Sequence, residues 1–159
     1  MKVVLLGNAG AGKSTMARRL IGDKNVARLS LDQIAWERRT TTRQPLPESV
    51  RLLHDFISQY NQWIIEGCYG DLVQAALPHC SELRFLNPAV EVCVAHCRAR
   101  PWEPEKFATA QEQQAMLETL IAWVRQYETR EDEFGLRRHR RIFDEFAGAK
   151  REYTSPADY

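Results

Sequence analysis

Residues Gly7-Asn8-Ala9-Gly10-Ala11-Gly12-Lys13-Ser14 fit the spacing G-x-x-x-x-G-K-[ST], with Thr15 next in the chain. They stand between an apolar run, Lys2 to Leu6, and an amphipathic stretch, Lys13 to Ile21. Glycines let a backbone curl tightly enough for successive N–H groups to point inward at phosphate oxygens. A helix that starts at Lys13 adds the positive end of its dipole to the same anion. In such a loop the lysine reaches the β- and γ-phosphates, and the Ser14 hydroxyl can ligate Mg²⁺. A strand before the motif and a helix after it separate it from a chance glycine-rich turn. Positions 7–15 are therefore the expected seat of ATP, with Mg²⁺ at Ser14.

The rest of the chain alternates short apolar strands with amphipathic helices, which predicts a doubly wound parallel α/β sheet covered on both faces. Strands are expected at Lys2–Leu6, Val26–Leu31, Trp63–Glu66 and Leu83–Leu86, with Arg151–Thr154 the only candidate for a fifth. Helices are expected at Lys13–Ile21, stopped by Gly22, and at Glu48–Tyr60, where Val50, Leu53, Ile57 and Tyr60 share a face. Others follow Asn87-Pro88, run from about Thr109 to Tyr127, and cover Leu136 to Ala147. The polar, proline-punctuated segment 37–47 and the proline-rich run Pro101-Trp102-Glu103-Pro104 cannot continue a helix. The expected organisation is one domain over 1–159, with an acceptor-binding insertion at about 33–60 and a lid at about 99–108.

Charge and cysteine usage exclude several classes. With 22 Lys and Arg against 21 Asp and Glu, the formal net charge is +1, which argues against a protein built to coat nucleic acid or an anionic membrane. No apolar run approaches the roughly 18 residues that span a bilayer. Gly7 ends the first apolar stretch too early for a signal-peptide core, so the expected location is cytoplasmic. Cys68, Cys80, Cys93 and Cys97 suit reduced thiols. Val90, Cys93, Val94 and Cys97 have the spacing of an apolar helix face, and core packing is the expected role. A zinc site with His79, Cys80 and His96 is the alternative, without a C-x-x-C pair to favour it.

The phosphate loop has the form G-x-x-G-x-G-K-[ST] at Gly7, Gly10, Gly12, Lys13 and Ser14, and begins at residue 7 of a short chain. In this it resembles the nucleoside monophosphate and shikimate kinases. It resembles most closely the small adenylate-kinase-related proteins, some labelled shikimate-kinase-like or topology-modulating, whose substrates are poorly defined. Ser30-Leu31-Asp32 matches their strand-end Leu-Asp, and Trp63-Ile64-Ile65-Glu66-Gly67-Cys68-Tyr69 resembles their Trp-Ile-Ile-Asp-Gly-x-Tyr segment, with Glu for Asp. The resemblance implies an adenylate-kinase-like α/β/α sandwich acting on ATP and Mg²⁺. The guanine motif N-K-x-D of GTPases is absent. Two departures matter. Adenylate kinases have Asp-Gly-Phe-Pro-Arg where this chain has Glu66-Gly67-Cys68-Tyr69-Gly70, and the Gly-Gly-Gly segment of shikimate kinases is missing. Neither acceptor carries over.

Phosphoryl transfer needs a metal, an oriented acceptor oxygen and positive charge over the transferring group. Glu66 ends a buried strand and is the candidate for a magnesium-bound water, with capping of the next turn as its plain alternative. Asp32 lies at the mouth of the second strand, where it can accept a hydrogen bond or proton from an acceptor hydroxyl. Its plain alternative is an N-cap for a turn starting at Gln33. Arg38, Arg39 and Arg43 would suit an acceptor that carries an anionic group, although solvated loop arginines are equally ordinary. In the resembled kinases a lid delivers arginines to the phosphates. Arg98, Arg100 and Arg130 are the candidates, and Trp102 reads as an anchor of the lid loop. The run Arg137-Arg138-His139-Arg140-Arg141 reads as a solvated helix side, with phosphate or nucleic-acid contact as its rival. The leading expectation is an ATP-dependent kinase of a small molecule or nucleotide, as a monomer or small homo-oligomer. A nucleotide-dependent regulatory ATPase and a nucleic-acid-linked ATPase are the alternatives.

Overall fold

The computed structural model describes residues 1–38 and 40–159. Arg39, one of the three arginines expected in the acceptor lobe, lies outside the described residues. In chain order the elements are β1 (Lys2–Gly7), α1 (Lys13–Ile21), β2 (Ala27–Ser30), α2 (Asp32–Ala35), α3 (Leu46–Gln59) and β3 (Trp63–Gly67). They continue with α4 (Gly70–Ala76), β4 (Glu82–Leu86), α5 (Val90–Ala99), α6 (Ala110–Arg125), α7 (Leu136–Glu145) and β5 (Ala149–Tyr153). The five strands form one parallel sheet in the order β2-β3-β1-β4-β5.

β1 explains why the first apolar run is continuous and not alternating. Val3 and Leu5 pack on one sheet face with Met16, Ala17, Cys93, Val94, Ile121 and Val124, which belong to α1, α5 and α6. Val4 and Leu6 pack on the other with Leu53, Leu72, Phe85 and Ile142, the side of α3, α4 and α7. A strand that is central and covered on both faces must be apolar at every position. Cys93 and Cys97 are buried in the first of these cores, and burial pushes the Cys93 thiol up to about 11.

From β1 the chain goes first to β2 and β3 on one side, then to β4 and β5 on the other. Ligands bind at such a reversal, beyond the carboxyl ends of the strands. The loop after β1 lies there.

Most element ends fall within two residues of expectation. Two short helices were not expected: α2, four residues long, and α4, seven residues long with Leu72, Val73 and Ala76 buried. Neither is long enough to display a helical period. β5 begins two residues earlier than its expected start, where Ala149, Lys150 and Arg151 are exposed. Pairing with β4 defines that strand, and no hydrophobic pattern announces it.

Candidate functional site

The loop 8–12 is fastened from behind through its carbonyl groups. Lys13 Nζ donates to the carbonyls of Gly7 (2.9 Å) and Asn8 (2.7 Å). Tyr159 Oη donates to that of Ala11 at 2.7 Å. His96 Nδ1 lies 2.6 Å from the Gly10 carbonyl and, facing an acceptor, must carry the proton. The buried Asn8 amide donates to the Val124 carbonyl at 3.2 Å and ties the loop to α6. Among the described residues the N–H groups of Gly10, Gly12, Lys13 and Ser14 have no protein acceptor. Carbonyls held behind and amides left free make the polarity an anionic ligand needs.

Two glycines are required by this path. Gly10 has φ 79°, and a Cβ there would lie 2.3 Å from the Cys93 carbonyl oxygen. Gly12 has φ 97°, and its Cβ would meet the Tyr159 ring at 2.8 Å. Both lie in the left-handed region that side chains avoid.

Neither a family model nor a curated protein matches this chain. Among solved structures, the Thermus thermophilus protein TT1252 superposes with a TM-score of 0.56 at 16% identity, covering 98% of this chain and 90% of its own. A sugar kinase from Janibacter sp. HTCC2649 gives 0.53 at 14% identity, covering 98% and 87%. The shikimate kinase of Acinetobacter baumannii, solved with shikimate, gives 0.46 at 18%, covering 88% and 89%. The likeness is one of fold: TT1252 and the sugar kinase share the architecture of this chain's parallel α/β sheet. At these identities the likeness speaks for architecture and leaves the acceptor open.

In this fold Ser14 and Glu66 come together across 52 positions of sequence. Ser14 Oγ lies 3.1 and 3.0 Å from the two Glu66 carboxylate oxygens, and Glu66 is 3% exposed. One hydroxyl and one carboxylate are hard oxygen donors. They fit Mg²⁺, which keeps several waters and takes its remaining ligands from phosphates instead of an all-protein cage. Glu66 also accepts from Arg28 Nε at 2.8 Å and from Arg28 Nη2.

Asp32 opens α2 and caps nothing: the residue before that helix is Leu31, and no side chain caps it. Its Oδ1 accepts from Tyr69 Oη at 2.6 Å, and its Oδ2 lies 3.2 Å from Lys106 Nζ in the lid segment. Trp36 Nε1 donates in turn to Tyr69 Oη at 2.9 Å. Burial pushes the Asp32 carboxyl up, but Lys106, the Tyr69 hydroxyl and Lys13 together hold it below its ordinary value. Burial and the Asp32 charge drive the Tyr69 hydroxyl far above its own, so Tyr69 is a donor here.

The candidate arginines divide. Arg98 of α5 pairs with Glu118 of α6 at 2.8 Å, and both side chains are exposed. Arg100 is half-buried and its charge acts on Lys106 and Cys97, which places it at the lid. Arg130 bonds Asp132 at 2.6 Å, stacks 4.4 Å over Trp123, and keeps a buried Nη1 with no partner among the described residues. Its charge and those of Lys13 and Asp32 all act on Cys68. Arg43 pairs with Asp71 at 3.1 Å, lies 5.1 Å over Tyr69, and likewise has a buried Nε with no partner among the described residues. Phe134 lies between Arg43 and Arg130, within 5.9 and 5.5 Å of them. Arg38 is exposed. Trp102 anchors its loop, donating to the Phe107 carbonyl at 3.0 Å.

The basic run of α7 is not free to face solvent alone. Arg137, Arg138, Arg140 and Arg141 pair with Glu131, Glu133, Glu152 and Glu145. Two residues that bear on the site, Lys106 and Arg28, were not singled out from sequence, and nothing local marks them. Tyr69 entered only as part of the Trp63–Tyr69 resemblance, and His96 only as a possible zinc ligand, not as a partner of the Gly10 carbonyl.

Proposed function

We propose that this chain is an ATP-dependent kinase of a small molecule or nucleotide, working as one P-loop domain with the acceptor insertion at about 33–60 and the lid at about 99–108. The observation that carries the reading is the loop fastened by its carbonyls with its amides free, Lys13 and the Ser14–Glu66 pair beside it, and the Lys13 charge acting on Asp32. The amides of Gly10, Gly12, Lys13 and Ser14, with the Lys13 ammonium, grip the β- and γ-phosphates, and Asn8, Ala9, Ala11 and Thr15 complete the loop. Ser14 and Glu66 place Mg²⁺, which supplies positive charge to the phosphate oxygens when bound.

An acceptor hydroxyl hydrogen-bonds to Asp32 and its oxygen attacks the γ-phosphorus. The bond from that phosphorus to the bridging oxygen breaks, ADP leaves, and the hydroxyl proton passes to Asp32 or to water. A carboxylate held below its ordinary pKa is a weak base, so Asp32 orients the hydroxyl more than it strips it. That suits a loose transition state in which the proton leaves late. Arg100 and Arg130 supply charge over the transferring group, and Arg43 with Arg130 suits an anionic group on the acceptor. The exposed pairing of Arg98 favours the other two for the lid role.

The test is ATP turnover with a panel of nucleoside monophosphates, small hydroxy acids and nucleic acid, read by the mass shift of the product. Stimulation by one small molecule supports the kinase. Lys13→Ala is expected to abolish turnover with the circular dichroism spectrum unchanged, and full turnover in that variant rejects the assignment. One observation favours a nucleotide-dependent regulator as the second reading: both Asp32 oxygens already have partners within the chain. ATP hydrolysis that no acceptor stimulates would select it. Stimulation by DNA or RNA would select the nucleic-acid-linked ATPase, which the paired arginines of α7 disfavour.

A further inference from the structure

Arg28 stands on β2, an edge strand, on the same sheet face as Ile64 and Glu66. Register places Arg28 opposite Ile64 and Ser30 opposite Glu66, so the guanidinium reaches along the sheet by two residues to arrive at the carboxylate. There Nε, at 2.8 Å, and Nη2 both take Oε1. Ser14 Oγ lies 3.0 Å from Oε2. The Glu66 side chain is 3% exposed and that of Arg28 is 32%. Both N–H groups share one carboxylate oxygen, a charge-assisted pairing that leaves Oε2 to Ser14.

We propose that Arg28 makes metal entry at Ser14–Glu66 depend on the nucleotide. The guanidinium cancels the only carboxylate charge of that pair and occupies one of its two oxygens. What is left is a neutral hydroxyl and one carboxylate oxygen beside a fixed positive charge, which repels a bare divalent cation. Phosphate oxygens restore the negative charge and supply the missing ligands, so the metal enters with the nucleotide and not before it. Arg28 is thus a positioning residue that acts through Glu66, and it sets the order in which the two ligands are taken up. This inference rests on the reading of 7–15 as a nucleotide site.

The experiment titrates Mn²⁺ into nucleotide-free protein and counts free ion by electron paramagnetic resonance. Wild type should bind Mn²⁺ only in the millimolar range or weaker, and sub-millimolar binding overturns the proposal. Arg28→Gln should bind it roughly tenfold or more tightly, because the repelling charge is gone. Arg28→Lys, which keeps the charge, should stay near wild type. Arg28→Met preserves the stem over the sheet and provides the charge-free arm if the glutamine variant does not fold. Equal Mn²⁺ affinity in wild type and the charge-free variant overturns the proposal. Calorimetry of wild type with Mg-ATP separates the two levels: heat together with equal Mn²⁺ affinities removes only the role of Arg28, whereas no heat removes the nucleotide reading and this proposal with it.

Discussion

Asp32 is gripped at both oxygens, by a phenol from the end of β3 and by an ammonium from the lid, and each contributes to its depressed pKa. Replacing it by asparagine keeps the shape but removes the charge that an acceptor hydroxyl would meet. Asp32→Asn is therefore expected to lower kcat by roughly a hundredfold or more while Mg-ATP affinity changes little. Single-turnover rates and calorimetry check the two quantities separately, and equal losses in both would remove its acceptor role. At this scale the sequence was informative where chemistry is local. Gly7 to Ser14 are eight successive residues whose spacing encodes their geometry, and Lys13 and Ser14 follow from it. Arg28 and Lys106 carried no such mark. Arg28 reaches Glu66 from 38 positions away, and Lys106 reaches Asp32 across two intervening strands of the chain. Contacts of that kind come from the order of strands in the sheet, which single residue types do not announce.

The segment between α5 and α6 is anchored at its base and reaches over the site. Gln113 of α6 accepts from the Glu103 amide at 2.8 Å and donates to the Pro101 carbonyl at 3.0 Å, and Trp102 closes the loop on Phe107. Lys106 lies inside the loop that Trp102 closes and pairs with Asp32 and with Glu103. The same α5 that leads into the lid holds the P-loop through His96 and meets Gly10 at the Cys93 carbonyl. One helix therefore touches the loop 8–12 and leads into the segment that carries Lys106. Removing the lysine charge has a directional consequence. Because Lys106 lowers the Asp32 pKa, Lys106→Met must raise it, and activity that requires the ionised carboxylate then fails at a higher pH. The acid limb of the kcat/KM profile is expected to move upward in Lys106→Met, and an unmoved limb would detach the lid from Asp32. Strands and long helices were legible in the sequence because each keeps one period over many residues. α2, α4 and the start of β5 were not, being too short or too polar to repeat a pattern.

Across the whole molecule, one buried histidine joins the elements next to Tyr69, the partner of Asp32. His139 of α7 is fully buried, although it sits in the middle of the basic run. Its Nε2 donates to the carbonyls of Cys68 (2.8 Å) and Glu133 (3.2 Å), so its Nδ1 accepts from Tyr127 Oη at 2.7 Å. The exit of β3, the segment after α6 and α7 itself meet on one neutral ring, next in sequence to the tyrosine that holds Asp32. Burial lowers its pKa from 6.5 to about 4. The sign follows directly. Between those values the unfolded chain takes up a proton that the folded chain refuses, so the stability present above pH 6.5 is lost as pH falls toward 4. Over the interval from pH 7.5 to pH 5 the loss from this group is about 2 kcal/mol. The carboxylates of Glu152 and Asp132, whose pKa values are lowered, also contribute stability that acid removes, but they titrate below their ordinary values and so mainly beneath this interval. Urea unfolding at the two pH values should show the drop in wild type. His139→Gln retains a donor for the Cys68 carbonyl and cannot titrate. It should be less stable at pH 7.5 by roughly 1–3 kcal/mol and lose most of the difference between the two conditions. A glutamine variant with the full wild-type drop would assign the acid sensitivity to other groups.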